Sequence, residues 1–252
     1  MFHPRPLVLA ALTLTVALFN AHSGTIDTIP PGLVAGDTYR LAFVTSATTD
    51  ATSSDISVYN TFVQNLANAV PALNALNATW TAIASTQNVN AVDNIDWQSA
   101  TDMIYGLNGT FVSGPSSLLF FDSNDGFFAA PIPTDEDGNP IVSGIVVWTG
   151  TSRVGTNTVN GCCSAPLGDG SNSFAGVTGT ANVFGAWVST GDVDTNDHLL
   201  YAISSELTVP EQTPEPATGA LMLVGALALV GHRLKYANRR RGTGPEQSRD
   251  CR

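Results

Sequence analysis

Basic residues are nearly missing from most of this 252-residue chain, and cysteine is scarce. The sole lysine is Lys235, and the stretch from Gly24 to Thr213 has only Arg40 and Arg153 as cations. Against them stand eighteen acids, giving that stretch a net charge of −16. Such a surface repels phosphate backbones and argues against nucleic acid as a partner. It argues equally against holding acidic polysaccharide by charge attraction alone. Without lysine, the body has no amine side chain for Schiff-base chemistry. Its one histidine, His198, reads as a surface or core residue rather than a base, and no His/Cys cluster has zinc spacing. No Gly-x-Ser-x-Gly elbow, His-Glu-x-x-His helix or phosphate loop occurs. The three cysteines are Cys162, Cys163 and Cys251. The first two are neighbours in a Gly/Ser/Asn-rich segment. With no third cysteine in the body there is no disulfide framework. A strained vicinal bridge, two free thiols and an intermolecular link all stay open.

What the sequence does have is concentrated at its ends. His3 and Arg5 precede an apolar run, Leu7–Phe19, and Ala21 and Ser23 then place small residues at −3 and −1 of a bond before Gly24. Residues 1–23 therefore read as a secretory signal peptide. Near the other end, Pro214-Glu215-Pro216 is followed by the apolar run Ala217–Gly231 and then by Arg233, Lys235, Arg239, Arg240 and Arg241. Fifteen residues of helix span about 22 Å, less than the roughly 30 Å hydrocarbon core. Leu234 and Tyr236 extend the run while Arg233 and Lys235 snorkel, so residues 217–236 predict a marginal transmembrane helix. Positive charge behind it predicts a cytoplasmic tail over 237–252 and a body outside.

The ordered motif, apolar run and basic cluster resemble the PEP-CTERM sorting signal of exported bacterial proteins. That resemblance implies the secretory translocon, signal peptidase and a membrane protease of the exosortase type as partners. Pro214, Glu215 and Pro216 would be the recognition and processing residues. It implies a protein first anchored in the membrane, then held at the cell surface or in an extracellular matrix with exopolysaccharide. Eleven residues, Gly242–Arg252, follow the arginines where members of that family usually end.

Between the signals, residues 24–209 predict one α+β, β-rich domain, and 210–216 a linker carrying the motif. Thr38–Ala47 reads as a strand buried on both faces. Ser54 or Asp55 caps a helix reaching Ala69, with Ile56, Tyr59, Val63, Leu66 and Val70 on its apolar face and Pro71 at its end. Trp80–Ser85 reads as a strand and Asn88–Trp97 as irregular. Met103–Tyr105 and Thr110–Val112 flank an Asn108-Gly109 turn. Ser116–Phe121 reads as a short helix, and Ile141–Trp148, Val183–Val188 and Leu199–Val209 as strands. Thr149–Asn182 is a long Gly/Ser/Thr/Asn-rich segment. The order of apolar anchors, from Arg40–Ser46 through Ile104–Gly109, Leu118–Phe121 and Val146–Thr151 to Trp187 and Leu200–Ile203, loosely resembles endostatin-like domains of the C-type-lectin-like fold. The usual disulfides and the sugar-binding triplets of that fold are absent, so no site transfers.

Three acidic loops invite a calcium reading. Asp122–Gly126 and Asp135–Asn139 combine acids with a glycine, and Asp192, Asp194, Asn196 and Asp197 have the alternate spacing of a calcium loop. None has the twelfth-position glutamate of an EF-hand, and the same residues make ordinary turns. Asn77-Ala78-Thr79 and Asn108-Gly109-Thr110 match the glycosylation sequon. Calcium is the one cofactor the acidic pattern suggests. The leading expectation is a non-enzymatic, exported surface or matrix protein whose body binds or scaffolds. The alternatives are a secreted polysaccharide hydrolase with paired Asp residues and a permanently anchored type I membrane protein.

Overall fold

The computed structural model describes residues 24–97, 103–114, 121, 129–157, 166–169, 175–177, 186–190 and 196–211. Its contacts divide the chain into two units, Met1–Val209 and Pro210–Arg252. The described part of the first unit is a mixed, β-rich sheet with few helices, the α+β class.

Strand β1 (Thr38–Val44) is the hub. All six residues after Thr38 are buried, so both of its faces are covered. The helix α1 (Ile56–Ala69) follows, and Asp55 caps it by accepting the Ser57 N–H at 2.9 Å. Tyr59, Val63 and Ala67 form its buried stripe, at the spacing that puts side chains on one helix face. Val70 is extended and ends α1; Pro71 then opens a single turn, α2 (Pro71–Asn74), where its missing N–H costs nothing.

Next come β2 (Trp80–Ala82), the one-turn α3 (Ala91–Asn94), β3 (Ile104–Gly106) and β4 (Phe111–Ser113). The last four strands are β5 (Val146–Trp148), β6 (Ala175–Val177), β7 (Leu199–Ser204) and β8 (Leu207–Thr208). The strand order is β4-β3-β1-β7-β5-β6, with β2 also pairing β7 and β8 also pairing β1. The β1–β3 and β5–β7 pairs are parallel and the remaining pairs antiparallel.

The two faces of this sheet carry two cores. Tyr39, Leu41 and Phe43 of β1 join Trp80, Leu200, Ala202, Trp148 and the stripe of α1. Ala42 and Val44 join Ile104, Val147, Tyr201, Ile203, Phe121, Ile132 and Trp187. Strand alternation makes this partition. One face is covered by α1 and α2; the other is covered by α3 and by side chains from loops.

Several elements depart from the sequence pattern. Asn88–Trp97 contains α3, whose C-terminal carbonyl groups are held by Arg40. Of Ile141–Trp148 only the last three residues are strand: Gly144 sits at φ +90° and Val142 is 70% exposed, so the β-branched run turns outward before it pairs. Trp187 and Val188 are buried but lie in a turn. The final strand breaks at Ser205-Glu206, and the Ser204 hydroxyl accepts the Leu41 N–H at 3.0 Å across the break. The Asn108-Gly109 turn does form, with Gly109 at φ +76°. Of Ser116–Phe121 all but Phe121, and the greater part of Thr149–Asn182, fall outside the described residues.

The free edge of β2 is sealed by amide side chains. Gln64 accepts the Trp80 N–H at 2.8 Å, Asn60 accepts the Ala82 N–H at 2.9 Å, and Asn94 donates to the Ala82 carbonyl at 2.7 Å. Helix residues thus take the place of a partner strand, removing an edge that could otherwise pair with another chain.

Candidate functional site

Most residues that the sequence marks for function lie outside the described residues: Pro214, Glu215 and Pro216, the cluster Arg233, Lys235, Arg239, Arg240 and Arg241, the cysteines Cys162 and Cys163, and Asp192 and Asp194. Of the third acidic loop only Asn196 and Asp197 are described, and both are exposed. Among the described residues no group of three or more His, Cys, Asp or Glu could hold a metal ion. Nor is any described helix long and apolar enough to cross a membrane.

The Asp135–Asn139 loop is a structural turn. The Asp135 carboxylate accepts the N–H groups of Asp137 and Asn139 and the Asn139 amide, at 2.8–3.0 Å. Glu136 points back into the protein, where its carboxylate accepts both the N–H and the hydroxyl of Ser46. Burial pushes the Glu136 pKa up, and the Ser46 bonds only partly offset it. Asp135 and Glu136 already serve as acceptors for the protein itself, while Asp137 is exposed.

His198 has a packing role. Its backbone pairs with Thr49 in both directions, and its ring meets Trp148 edge-on with centroids 4.8 Å apart.

Polar side chains from several elements converge on a cleft of about 240 Å³. It is bounded by Arg40 of β1, Thr79 and Thr81 around β2, Asp96 after α3, and Ser205 and Glu206 at the β7–β8 bend. Arg40 is 5% exposed, and its two terminal nitrogens donate to the Ile95 and Asp96 carbonyls at 2.5 and 2.9 Å. The guanidinium thereby fixes the wall that presents Asp96, a residue held at φ +49°. The Ser205 hydroxyl accepts the Thr79 N–H at 3.2 Å and ties the opposite wall to β2. The cleft is below the roughly 300 Å³ at which drug-sized ligands are enclosed. Its volume has room for a single small unit. Two carboxylates, Asp96 and Glu206, and the hydroxyls of Thr79 and Thr81 line it, a set suited to accepting hydrogen bonds from hydroxyl groups.

Arg40, Asp96 and Glu206 come from distant parts of the chain, so spacing alone could not bring them together. The available hint was Arg40 itself, a charge inside an otherwise apolar strand. No protein-family model matches this chain, and no curated protein matches it at a significant level.

Proposed function

We propose that this is an exported bacterial surface or matrix protein, sorted through its C-terminal signal. The observation that carries the reading is the order Pro214-Glu215-Pro216, Ala217–Gly231, then Arg233, Lys235, Arg239, Arg240 and Arg241. The fold supports it in one respect. Strand β8 pairs with β1, and Val209 exchanges backbone hydrogen bonds with Gly36 and Asp37 at 3.0 and 2.9 Å. All the described strands therefore end before Pro214, and removing the chain beyond that motif takes none of them. On this reading the signal peptide directs translocation, residues 217–236 hold the chain in the membrane, residues 237–252 stay cytoplasmic, and an exosortase-type protease acts near the motif. The body then acts as a binding or structural module in the envelope, with the Arg40–Glu206 cleft taking one hydroxyl-rich unit of a neutral polysaccharide.

Intact mass of the native protein from surface and membrane fractions tests this. A species ending near Pro214–Pro216 is expected. A surface species that still carries Ala217–Arg252 would instead make it a resident type I membrane protein.

A second reading draws on one feature of the cleft. Asp96 and Glu206 line the same small space, and paired carboxylates are the machinery of glycoside hydrolysis. Release of reducing ends from a neutral polysaccharide, abolished by Glu206→Gln, would favour a hydrolase. No release at any pH would leave the binding module.

A further inference from the structure

Residues Gly24–Pro31 form a strap laid over two turns. The Asp27 N–H donates to the Leu107 carbonyl at 2.6 Å, and the Tyr39 hydroxyl donates to the Thr28 carbonyl at 2.6 Å. Ile26 packs against the helix-covered core and Pro30 is buried. Under the strap lie two glycines in the left-handed region, Gly109 at φ +76° and Gly138 at φ +79°. A Cβ at Gly109 would lie 2.7 Å from Pro31, and one at Gly138 would lie 3.1 Å from both Gly24 and Ile26. The approach is closest at Gly24. A Cβ at position 24 would overlap the Gly138 carbonyl, so only glycine fits there.

The sequence independently places a peptidase cut at the same point, because Ala21 and Ser23 supply the small residues before it. We propose that Gly24 is the first residue of the mature protein and that its Cα, packed on the Gly138 carbonyl, pins the new terminus to that turn. Processing then leaves an amino terminus built into the fold. This rests on the export reading above. A signal peptidase hydrolyses the Ser23–Gly24 amide: water supplies the oxygen of the new Ser23 carboxylate, and Gly24 departs as an ammonium. The new ammonium is carried by a residue already packed on the turn that contains Asp135, Glu136 and Asp137. An end held this way gives exopeptidases no free residue to grasp, which suits a protein that resides outside the cell.

The test uses the full chain expressed in a secreting host. Amino-terminal sequencing of the exported protein is expected to begin at Gly24, and an aminopeptidase is expected to leave that end intact. Gly24→Ala keeps a small residue at the cut and is expected to be processed at the same bond. Its mature form is expected to lose residues to the aminopeptidase and to melt several degrees lower. Tyr39→Phe, which frees the Thr28 carbonyl but leaves the glycine contact, is a milder variant and is expected to be trimmed more slowly than Gly24→Ala. Cleavage at a different bond overturns the proposal and leaves export standing. An exported Gly24→Ala protein as resistant and as stable as the parent also overturns it. A chain that is never cut sinks both this proposal and the export reading.

Discussion

Asn60 and Asn94 exchange side-chain amide hydrogen bonds in both directions, at 2.8 and 3.0 Å, while each also serves the backbone of Ala82. The pair joins α1 to α3 through the edge of β2. Replacing Asn94 by alanine leaves the Ala82 carbonyl and the Asn60 amide without this partner. The expected loss is ~1–3 kcal/mol of stability, the cost of leaving such a group unsatisfied. Urea unfolding measures it, and a cycle with Asn60→Ala should give a coupling between the two sites well above experimental error.

Gly150 sits at φ +56°, and a Cβ there would lie 2.4 Å from the Ser85 carbonyl oxygen and 2.5 Å from the Leu167 nitrogen. Both neighbours are backbone and neither can rotate aside. Gly150→Ala is expected to destabilise by ~2–4 kcal/mol through overlap and backbone strain. Gly32→Ala is the control: that glycine also has a positive φ, +90°, but nothing lies within 4 Å of its added Cβ. Only the strain cost, ~1 kcal/mol, should appear there.

Glu136 makes stability fall with rising pH over one window. Burial raises its pKa above the ordinary 4.5. Below that ordinary value both folded and unfolded chains hold the proton, and the side chain contributes nothing to the slope. As pH climbs past it, the unfolded chain releases the proton first, so stability falls until the folded carboxyl also ionises. Glu136→Gln should remove this fall. Comparing unfolding midpoints near pH 4 and near pH 7 in both proteins checks it. A slope that survives in Glu136→Gln would show that other groups produce it.

The body's tyrosines predict the alkaline limit. Burial raises the pKa of Tyr39, Tyr59, Tyr105 and Tyr201, and Tyr59 is pushed up to about 12 despite its hydrogen bond to Ser53. The folded state keeps these protons while an unfolded chain releases them from about pH 10 upward, so stability is lost as pH rises above that point. Tyrosinate absorbance from the four is expected to appear together with loss of the folded circular dichroism signal. A gradual titration well before unfolding would contradict the burial of Tyr59 and Tyr201.

What the sequence revealed was what short-range pattern controls. The alternation of Tyr39, Leu41 and Phe43 reports a strand, the stripe Tyr59–Val63 with Asp55 before it reports a capped helix, and Asn108-Gly109 reports a turn. Each is decided within a few residues. The features that escaped depend on distant partners. Asn60, Gln64 and Asn94 look like ordinary surface amides until β2 is placed beside them. Val142 and Ile145 look like core until Gly144 turns the chain away. The cleft has the same origin, since Arg40, Asp96 and Glu206 converge only when β1, α3 and the β7–β8 bend have assembled.

Strand β1 pairs with β3 in mid-chain, but its other two partners lie at the far end of the domain: Ala42 pairs with Ile203 and Thr38 with Thr208. A chain threaded through a pore with its amino terminus first would therefore emerge with these two pairings of its hub strand still unmade. Closing a loop this long is a slow step, and no local hairpin can substitute for it. Nearly the whole domain must be across before the sheet can close. On the proposed export route, the topology would delay closure of the β1–β7 and β1–β8 pairs until delivery is almost done.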